Sequence, residues 1–215
     1  MLCRIVSQNG WSRRWGVKKT SIGIIGQGFV GKALKEGLKH VFNIETYDKY
    51  LSDLSTCESL EHLSSLATII FVCLPTPMRP DGTCDLSIVN STIMQLDGCK
   101  NNNIAVLKST VPPGTTSKLN LQCKNIQVVF SPEFLTEANY IDDFKGQTRI
   151  IIGGPRPGST KVKNIFRKAF SKTSIIKTGS TTAEAVKYFT NCFLASKVSF
   201  ANEFKQICDQ IDIDY

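Results

Sequence analysis

The sequence predicts an α/β protein with a doubly wound parallel sheet, followed by one long helix. Two observations carry this prediction. From residue 21 onward, short apolar runs alternate with segments of helical periodicity, and residues 26–31 read Gly-Gln-Gly-Phe-Val-Gly directly after the first apolar run. Strands that alternate with helices at this spacing favour a parallel sheet, since each parallel connection needs a crossover.

The first half of the sheet is predicted from apolar runs that end in turns or acids. Strands are expected at residues 21–25, 43–47 and 68–74. A helix is expected over residues 30–41, because apolar residues at 30, 33, 34 and 38 share one face. A shorter helix is expected around leucines 60, 63 and 66.

The second half continues the alternation. Strands are expected at residues 104–108, 126–130, 150–153 and 174–177, and helices at 87–96 and 161–170. A Pro-Pro-Gly turn at residues 112–114 introduces a further helix between the first two of these strands. The strand at 174–177 is expected to be the last in the sheet.

The final segment has a different composition. Neither Gly nor Pro occurs from Thr181 to Tyr215, and Thr181 or Thr182 with Glu184 gives a plausible helix start. A helix that continues to Gln210 is ~45 Å long, which exceeds an ordinary helix of such a fold. Apolar residues at 194, 198, 200 and 204 lie on this helix, so we expect a partner to cover them.

Composition limits the class of protein. The 215 residues are 41% hydrophobic and 20% charged, which suits one sizeable globular domain with an appendage. The net charge of +8 is concentrated before residue 20, so residues 1–19 are interpreted as a basic N-terminal extension and no nucleic-acid partner is expected. No apolar run approaches the ~18 residues of a membrane span, so a cytoplasmic protein without a membrane partner is expected.

The eight cysteines show no Cys-x-x-Cys pair and no zinc-ligand spacing, and no apolar signal segment precedes them. We therefore expect reduced thiols, several of them small core residues. Neither a metal site nor a catalytic cysteine is predicted among them.

The glycine-rich turn predicts a Rossmann-type dinucleotide site. Gly26 permits the tight turn, Gly28 lets the backbone approach a pyrophosphate, and Gly31 allows close helix–strand packing. Asp48 ends the second strand, 22 residues after Gly26, where a carboxylate accepts hydrogen bonds from the adenosine ribose. An acid there favours NAD over NADP, although Lys49 lies beside it. A glycine turn without a cofactor is the alternative interpretation.

Three further loops follow strand ends, where ligands bind in open α/β sheets. They are Pro75-Thr76-Pro77, Ser109-Thr110 and the segment from Glu133 to Glu137. Each loop alone has a structural explanation, because proline-rich turns end strands and Thr110 is suited to a helix cap. Their convergence on one sheet edge favours a binding site.

These motifs resemble the N-terminal half of the UDP-glucose/GDP-mannose dehydrogenase family from residue 21 to about residue 208. The most specific piece is residues 131–137, Ser-Pro-Glu-Phe-Leu-Thr-Glu, followed by Arg149 and Gly153-Gly154. The resemblance implies two successive oxidations of a sugar C6 alcohol to a carboxylate, with two NAD and a covalent cysteine intermediate. UDP-glucose is favoured as substrate by residues 134–144 and 148–154.

The resemblance also implies roles for single residues. Lys187 and Asn191, one helical turn apart, would stabilise an oxyanion, and Thr110 and Glu133 would position a water molecule. Taken alone, Lys187 would be read as an ordinary solvated lysine. The implied cofactor contacts are Gly26, Gly28, Phe29, Val30, Gly31, Asp48, Lys49, Thr76, Ser109 and Glu137. The implied substrate contacts are Glu133, Phe134, Leu135, Glu137, Lys187 and Asn191.

Two departures from the family pattern shape the remaining expectations. The segment between Asp48 and the third strand is short, and no glycine-rich cysteine motif follows Asn191. We therefore expect an NAD-binding domain at residues 20–179 and the start of a central helical region at 180–215, with the C-terminal domain missing and the oxidation incomplete. The expected partner is a second copy through the long helix, or the missing half.

Two other functions stay open at this point. β-Hydroxyacid dehydrogenases also pair a glycine-rich turn with Lys-x-x-x-Asn on a later helix, and they need only one hydride transfer. Residues 131–137 argue against that class. A non-catalytic NAD-binding fragment is the third interpretation.

Overall fold

The computed structural model describes residues 21–215, so the predicted extension at 1–19 and Cys3 lie outside the described residues. The strands are β1 Ser21–Ile25, β2 Asn43–Tyr47, β3 Ile69–Val72, β4 Ile104–Leu107, β5 Gln127–Phe130, β6 Arg149–Gly153 and β7 Ser174–Thr178. The helices are α1 Phe29–Leu38, α2 Leu60–Leu66, α3 Ser87–Gly98, α4 Thr115–Gln122, α5 Tyr140–Lys145, α6 Gly158–Ala169 and α7 Ser180–Gln210.

The strands form one sheet in the order β2-β1-β3-β4-β5-β6-β7. Neighbours from β2 to β5 pair in parallel, which confirms the predicted α/β fold class. The chain runs from β1 outward to β2 and then back past β1 to β3, so the strand order reverses between β1 and β3. Ligands of doubly wound sheets bind beside the carboxyl ends of the strands at such a reversal.

The last two strands depart from the parallel arrangement. β6 pairs antiparallel with β5 and parallel with β7. An antiparallel neighbour needs no crossover, so β6 begins at the edge where β5 ends. The connecting residues 131–148, including α5, therefore stay at the carboxyl edge of the parallel strands, and α5 packs on α1.

Two apolar layers cover the sheet. Ile70 and Val72 belong to one layer, whereas Ile69 and Phe71 belong to the other. All residues of β3 and β4 are buried. Because strands buried on both faces need apolar residues at every position, these segments read as continuous apolar runs rather than alternating ones.

Two local features differ from the sequence-based expectations. The six-residue α5 was not predicted, because only Phe144 in it is buried and its other positions show no helical periodicity. The expected role of Glu184 in starting the long helix is wrong. Gly179 caps α7 without a side-chain hydrogen bond, and the fully buried Glu184 carboxylate instead accepts hydrogen bonds from the backbone N–H groups of Gly114 at 2.6 Å and Thr116 at 2.7 Å.

The predicted long helix is confirmed: α7 has 31 residues and ends at Gln210. Its first two turns pack on β6 and α4, and from Phe189 onward most of its apolar side chains are exposed. None of the helices described between residues 21 and 215 is both long enough and apolar enough to cross a membrane.

The seven cysteines in the described part of the chain are free thiols, as expected. Cys57 and Cys208 are buried. Within the same residues, no group of His, Cys, Asp and Glu side chains has the arrangement of a metal site.

Candidate active site

A cleft of about 690 Å³ lies along the carboxyl ends of β1, β3 and β4. One end is lined by residues 47–50 at the end of β2, and the other by residues 108–110 after β4 together with Glu133. The glycine-rich turn lies between these ends. The cleft therefore occupies the place where the strand order reverses.

The glycine-rich turn fits a dinucleotide. Gly26 has a φ of +88°, and a Cβ at Gly26 or Gly31 would overlap a backbone carbonyl, so both are required by the turn itself. Gly28 is different, because no atom lies within 4 Å of a Cβ built there and the residue faces the cleft. The backbone at Gly28 is therefore an open cradle that any side chain would fill.

The N-terminus of α1 adds a site for an anion. Gly28 is the N-cap residue, no side chain accepts from the first-turn N–H groups, and the first turn contains no acid. Uncapped N–H groups at a helix N-terminus favour phosphate. Phe29 and Val30, which begin this helix, also line the cleft. These features fit the pyrophosphate of NAD.

Asp48 supports the glycine turn as well as facing the cleft. Its carboxylate accepts hydrogen bonds from the N–H groups of Gln27 at 2.7 Å, Tyr50 at 2.9 Å and Leu51 at 3.1 Å. Partial burial opposes ionisation, but the backbone hydrogen bonds prevail and hold the pKa of Asp48 below its usual value. The neighbouring Lys49 is exposed and also lines the cleft.

The loops at the other end of the cleft are tied together. The Thr76 hydroxyl donates to the carbonyl of Thr110 at 2.7 Å, and the Ser109 hydroxyl accepts from the N–H of Leu74 at 3.0 Å. Thr76, Ser109 and Thr110 all line the cleft. The convergence predicted for the loops after β3 and β4 is therefore present.

The segment after β5 is held by α7. The Lys187 amine donates to the Glu133 carboxylate at 2.7 Å, and the second Glu133 oxygen accepts from the N–H of Leu135 at 2.7 Å. The Lys187 and Glu133 side chains are only 7% and 12% exposed. The Phe134 ring contacts two cations, since Lys187 and Arg149 are each 5.6 Å from its centre.

A second cleft of about 410 Å³ lies between residues 133–136, α5 and the start of β6. Glu133, Phe134 and Leu135, which were assigned to the substrate, line it together with Arg149. Glu133 also lines the first cleft, so the two clefts share this residue.

Four of the predicted site residues lie outside both clefts. Gly31, a predicted cofactor contact, is buried under the glycine turn and lines neither cleft. Lys187 reaches the site through its ion pair with Glu133. Glu137 and Asn191 are exposed on the surface and line neither cleft. Most of the predicted contact residues therefore lie together in the two clefts, whereas the Glu137 carboxylate and the Asn191 amide face solvent.

Lys108 is a site residue that the sequence reading did not single out. Its amine is buried, donates to the carbonyl of Pro132 at 2.9 Å, and lines both clefts. Burial lowers the pKa of Lys108 to about 8. The available signal was a lysine that directly follows the apolar segment of β4 and precedes Ser109.

Comparison with known proteins gives two family-model matches. Residues 36–171 match the NAD-binding domain of the UDP-glucose/GDP-mannose dehydrogenase family, and residues 181–215 match the central domain of the same family. The boundary between the matches falls at the start of α7.

Individual relatives agree with these matches. The chain is 31% identical to UDP-glucose 6-dehydrogenase YwqF of Bacillus subtilis, over 86% of this chain and 43% of the relative. It is also 31% identical to UDP-glucose 6-dehydrogenase of Rickettsia bellii, over 78% of this chain and 42% of the relative. A solved UDP-glucose dehydrogenase from Pyrobaculum islandicum superimposes with a TM-score of 0.82 at 27% identity, over 93% of this chain and 55% of that one. The chain thus spans about half the length of the proteins that it matches.

Proposed function

The chain belongs to the UDP-glucose/GDP-mannose dehydrogenase family, and we propose that it carries the NAD-binding side of an enzyme that oxidises the C6 alcohol of a nucleotide sugar to the uronic acid. UDP-glucose is the proposed substrate. The likeness to two relatives named UDP-glucose 6-dehydrogenase supports this choice, as do residues 134–144 and 148–154.

We propose residues 20–179 as the NAD-binding domain and residues 180–215 as the start of a central helical region. The family-model boundaries support the division, since the first match ends at residue 171 and the second begins at residue 181. Glu184 and Lys187 at the start of α7 are both buried against the first domain. The helix is therefore anchored at the end that carries the proposed catalytic lysine.

When bound, NAD would supply the hydride acceptor for oxidation of the sugar carbon. The chain's own residues have positioning roles in this proposal. Asp48 accepts hydrogen bonds from the adenosine ribose, and the backbone at Gly28 with the first turn of α1 holds the pyrophosphate. Thr76 and Ser109 contact the cofactor farther along the cleft.

The Glu133–Lys187 pair is the observation that supports the catalytic part of this proposal. Glu133 lines both clefts, one proposed for the dinucleotide and the other lined by the proposed substrate contacts, and its carboxylate pairs with the buried Lys187 amine behind them. A buried cation stabilises an oxyanion better than an exposed one, because water screens it less. Thr110 and Glu133 are proposed to hold the water used in hydrolysis.

Asn191 and Glu137 require a further element to become part of a closed site. Both face solvent, on α7 and on the loop before α5. We propose that substrate and the remainder of the enzyme cover them. Apolar side chains on the same exposed stretch of α7 suggest a second copy of the chain as a partner: Phe189, Phe193, Leu194, Val198, Phe200, Phe204 and Ile207.

The test is a fusion of this chain to the C-terminal half of the Bacillus subtilis relative. We expect NADH formation that depends on UDP-glucose, with UDP-glucuronate as the product, and loss of turnover in the Lys187→Met fusion. Calorimetric NAD binding serves as the folding control for both fusions. Turnover of GDP-mannose in place of UDP-glucose would overturn the substrate, and turnover of a small β-hydroxyacid would overturn the reaction.

A further inference from the structure

The buried amine of Lys108 carries a charge at the site, and the proposed function gives it no role. It lies at the end of β4, and its only hydrogen bond among the described residues is to the carbonyl of Pro132 at 2.9 Å. A backbone carbonyl carries no full charge, so this hydrogen bond does not neutralise the amine. A buried cation exerts a stronger field on a neighbouring ligand than an exposed one, because water screens it less.

The position of Lys108 in the cleft indicates which part of a dinucleotide it meets. The Asp48 end is proposed for the adenosine ribose and the glycine turn for the pyrophosphate. Lys108 lines the opposite end, with Ser109, Thr110 and Glu133. This inference rests on the proposed function: in an extended dinucleotide, the end away from adenosine is the nicotinamide.

The nicotinamide changes its charge during the reaction. The oxidised ring carries a positive charge, the reduced ring is neutral, and the two phosphates are the same in both forms. We propose that Lys108 sets the relative affinity of this domain for the oxidised and reduced cofactor, by repelling the oxidised ring when the amine is protonated. A protonated Lys108 thereby favours the reduced product and supports oxidation of the substrate.

The surroundings determine when this charge is present. The charged and titratable groups that face the amine are the Cys73 thiol after β3, the Glu133 carboxylate after β5 and the Lys187 amine of α7. Burial lowers the pKa of Lys108 to about 8 and raises the pKa of Cys73 to about 12. Of these two, only Lys108 changes its charge between pH 7 and pH 9.

The direction of the effect follows from these charges. The amine is protonated below its pKa and neutral above it, so repulsion of the oxidised ring is lost as the pH rises through the pKa. The ratio of NAD affinity to NADH affinity should therefore increase by about fivefold between pH 7 and pH 9. The ratio isolates Lys108's effect on the ring, because its attraction to the phosphates is common to both forms.

The experiment measures NAD and NADH binding to the full chain by calorimetry at pH 7, 8 and 9. For the unmutated chain we expect the fivefold change in the ratio. Lys108→Arg keeps its positive charge from pH 7 to pH 9, so its ratio of NAD affinity to NADH affinity should stay at the low value. Lys108→Gln has no charge at any of these pH values, so its ratio should stay at the high value. Lys118→Met, which removes an exposed lysine from α4, is the matched control and should behave like the unmutated chain.

A constant ratio in the unmutated chain overturns the inference, and that measurement needs no variant to fold. A change that persists in Lys108→Gln overturns it as well. Absence of binding by both NAD and NADH would instead contradict the proposed function, and this inference would fail with it.

Discussion

The Lys187 amine lies 2.7 Å from the Glu133 carboxylate, although 54 residues separate them in sequence. The pair joins α7 to the loop after β5, and both side chains are largely withdrawn from water. Removing one partner of such a pair leaves the other charge buried and uncompensated. The loss of stability is larger than it is when one partner of an exposed pair is removed. The position of the proposed catalytic lysine therefore depends on Glu133.

The coupling between these two residues is the first prediction. Lys187→Met, Glu133→Gln and the double variant should give a coupling free energy of about 1–3 kcal/mol in urea unfolding, because the interaction is shielded from solvent. The matched control is the exposed Lys205–Asp209 pair on the same helix, also at 2.7 Å, for which about 0.5 kcal/mol or less is expected. Equal coupling in the two pairs would contradict the importance of burial.

The second prediction concerns Glu184. Glu184→Ala removes two hydrogen bonds from a buried carboxylate to the N-terminus of α4, so we expect a loss of about 2–4 kcal/mol in the free energy of unfolding. Thermal and urea unfolding provide the measurement. The matched control is Glu203→Ala, an exposed carboxylate farther along α7, which should change stability by less than about 0.5 kcal/mol. Similar losses in both variants would refute the capping role.

The third prediction concerns Asp48. Asp48→Ala should weaken NAD binding by about 1–3 kcal/mol, because the ribose and the glycine turn both lose hydrogen bonds.

The pKa of Asp48 is lower in the folded chain than its usual value of 3.8, so its contribution to stability is present above that value and lost as the pH falls through the folded pKa. Urea unfolding of the unmutated chain and the variant from pH 7 to pH 3 measures this. Tighter binding of NADP than NAD by the unmutated chain would contradict the ribose assignment.

The fourth prediction concerns self-association through α7. Phe193 and Phe200 are 65% and 70% exposed on this helix. Replacing both with Ser should shift a dimer toward monomer in sedimentation velocity, because the apolar area that drives association is reduced. Leu121→Ser removes an 88% exposed leucine from α4 and is the control. A monomeric unmutated chain at all concentrations would contradict the proposed homodimer.

Much of the fold follows directly from local sequence. The apolar runs of β3 and β4, the glycine turn and the long segment without Gly or Pro each specify one element through its own residues. The antiparallel direction of β6 cannot be predicted from local sequence, because it depends on whether the chain crosses the sheet after β5. The helix α5 was missed for a related reason: it is short, and its stability comes from Phe144 packing against α1 rather than from its own pattern.

For the site, too, some residues could be identified from local sequence and others only from the folded structure. Gly28, Asp48, Ser109 and Thr110 could be found from the sequence, since each follows a strand at the edge where ligands bind. Glu184 was misassigned, because its true partner, the N-terminus of α4, lies some 70 residues away in the chain. Lys108 was missed because only the folded chain shows that its amine is buried at the junction of two clefts.

The most direct test is the affinity of the chain for NAD before and after Gly28→Ala. A Cβ at Gly28 meets no protein atom within 4 Å, and its backbone is extended, so the substitution should leave the melting temperature unchanged. The same Cβ fills the cradle proposed for the pyrophosphate, so NAD binding should weaken by roughly tenfold or more in calorimetry. Gly98→Ala, which also adds a Cβ in open space but at a residue that does not line the cleft, should bind NAD like the unmutated chain. Unchanged NAD affinity in a folded Gly28→Ala chain would contradict the site described here.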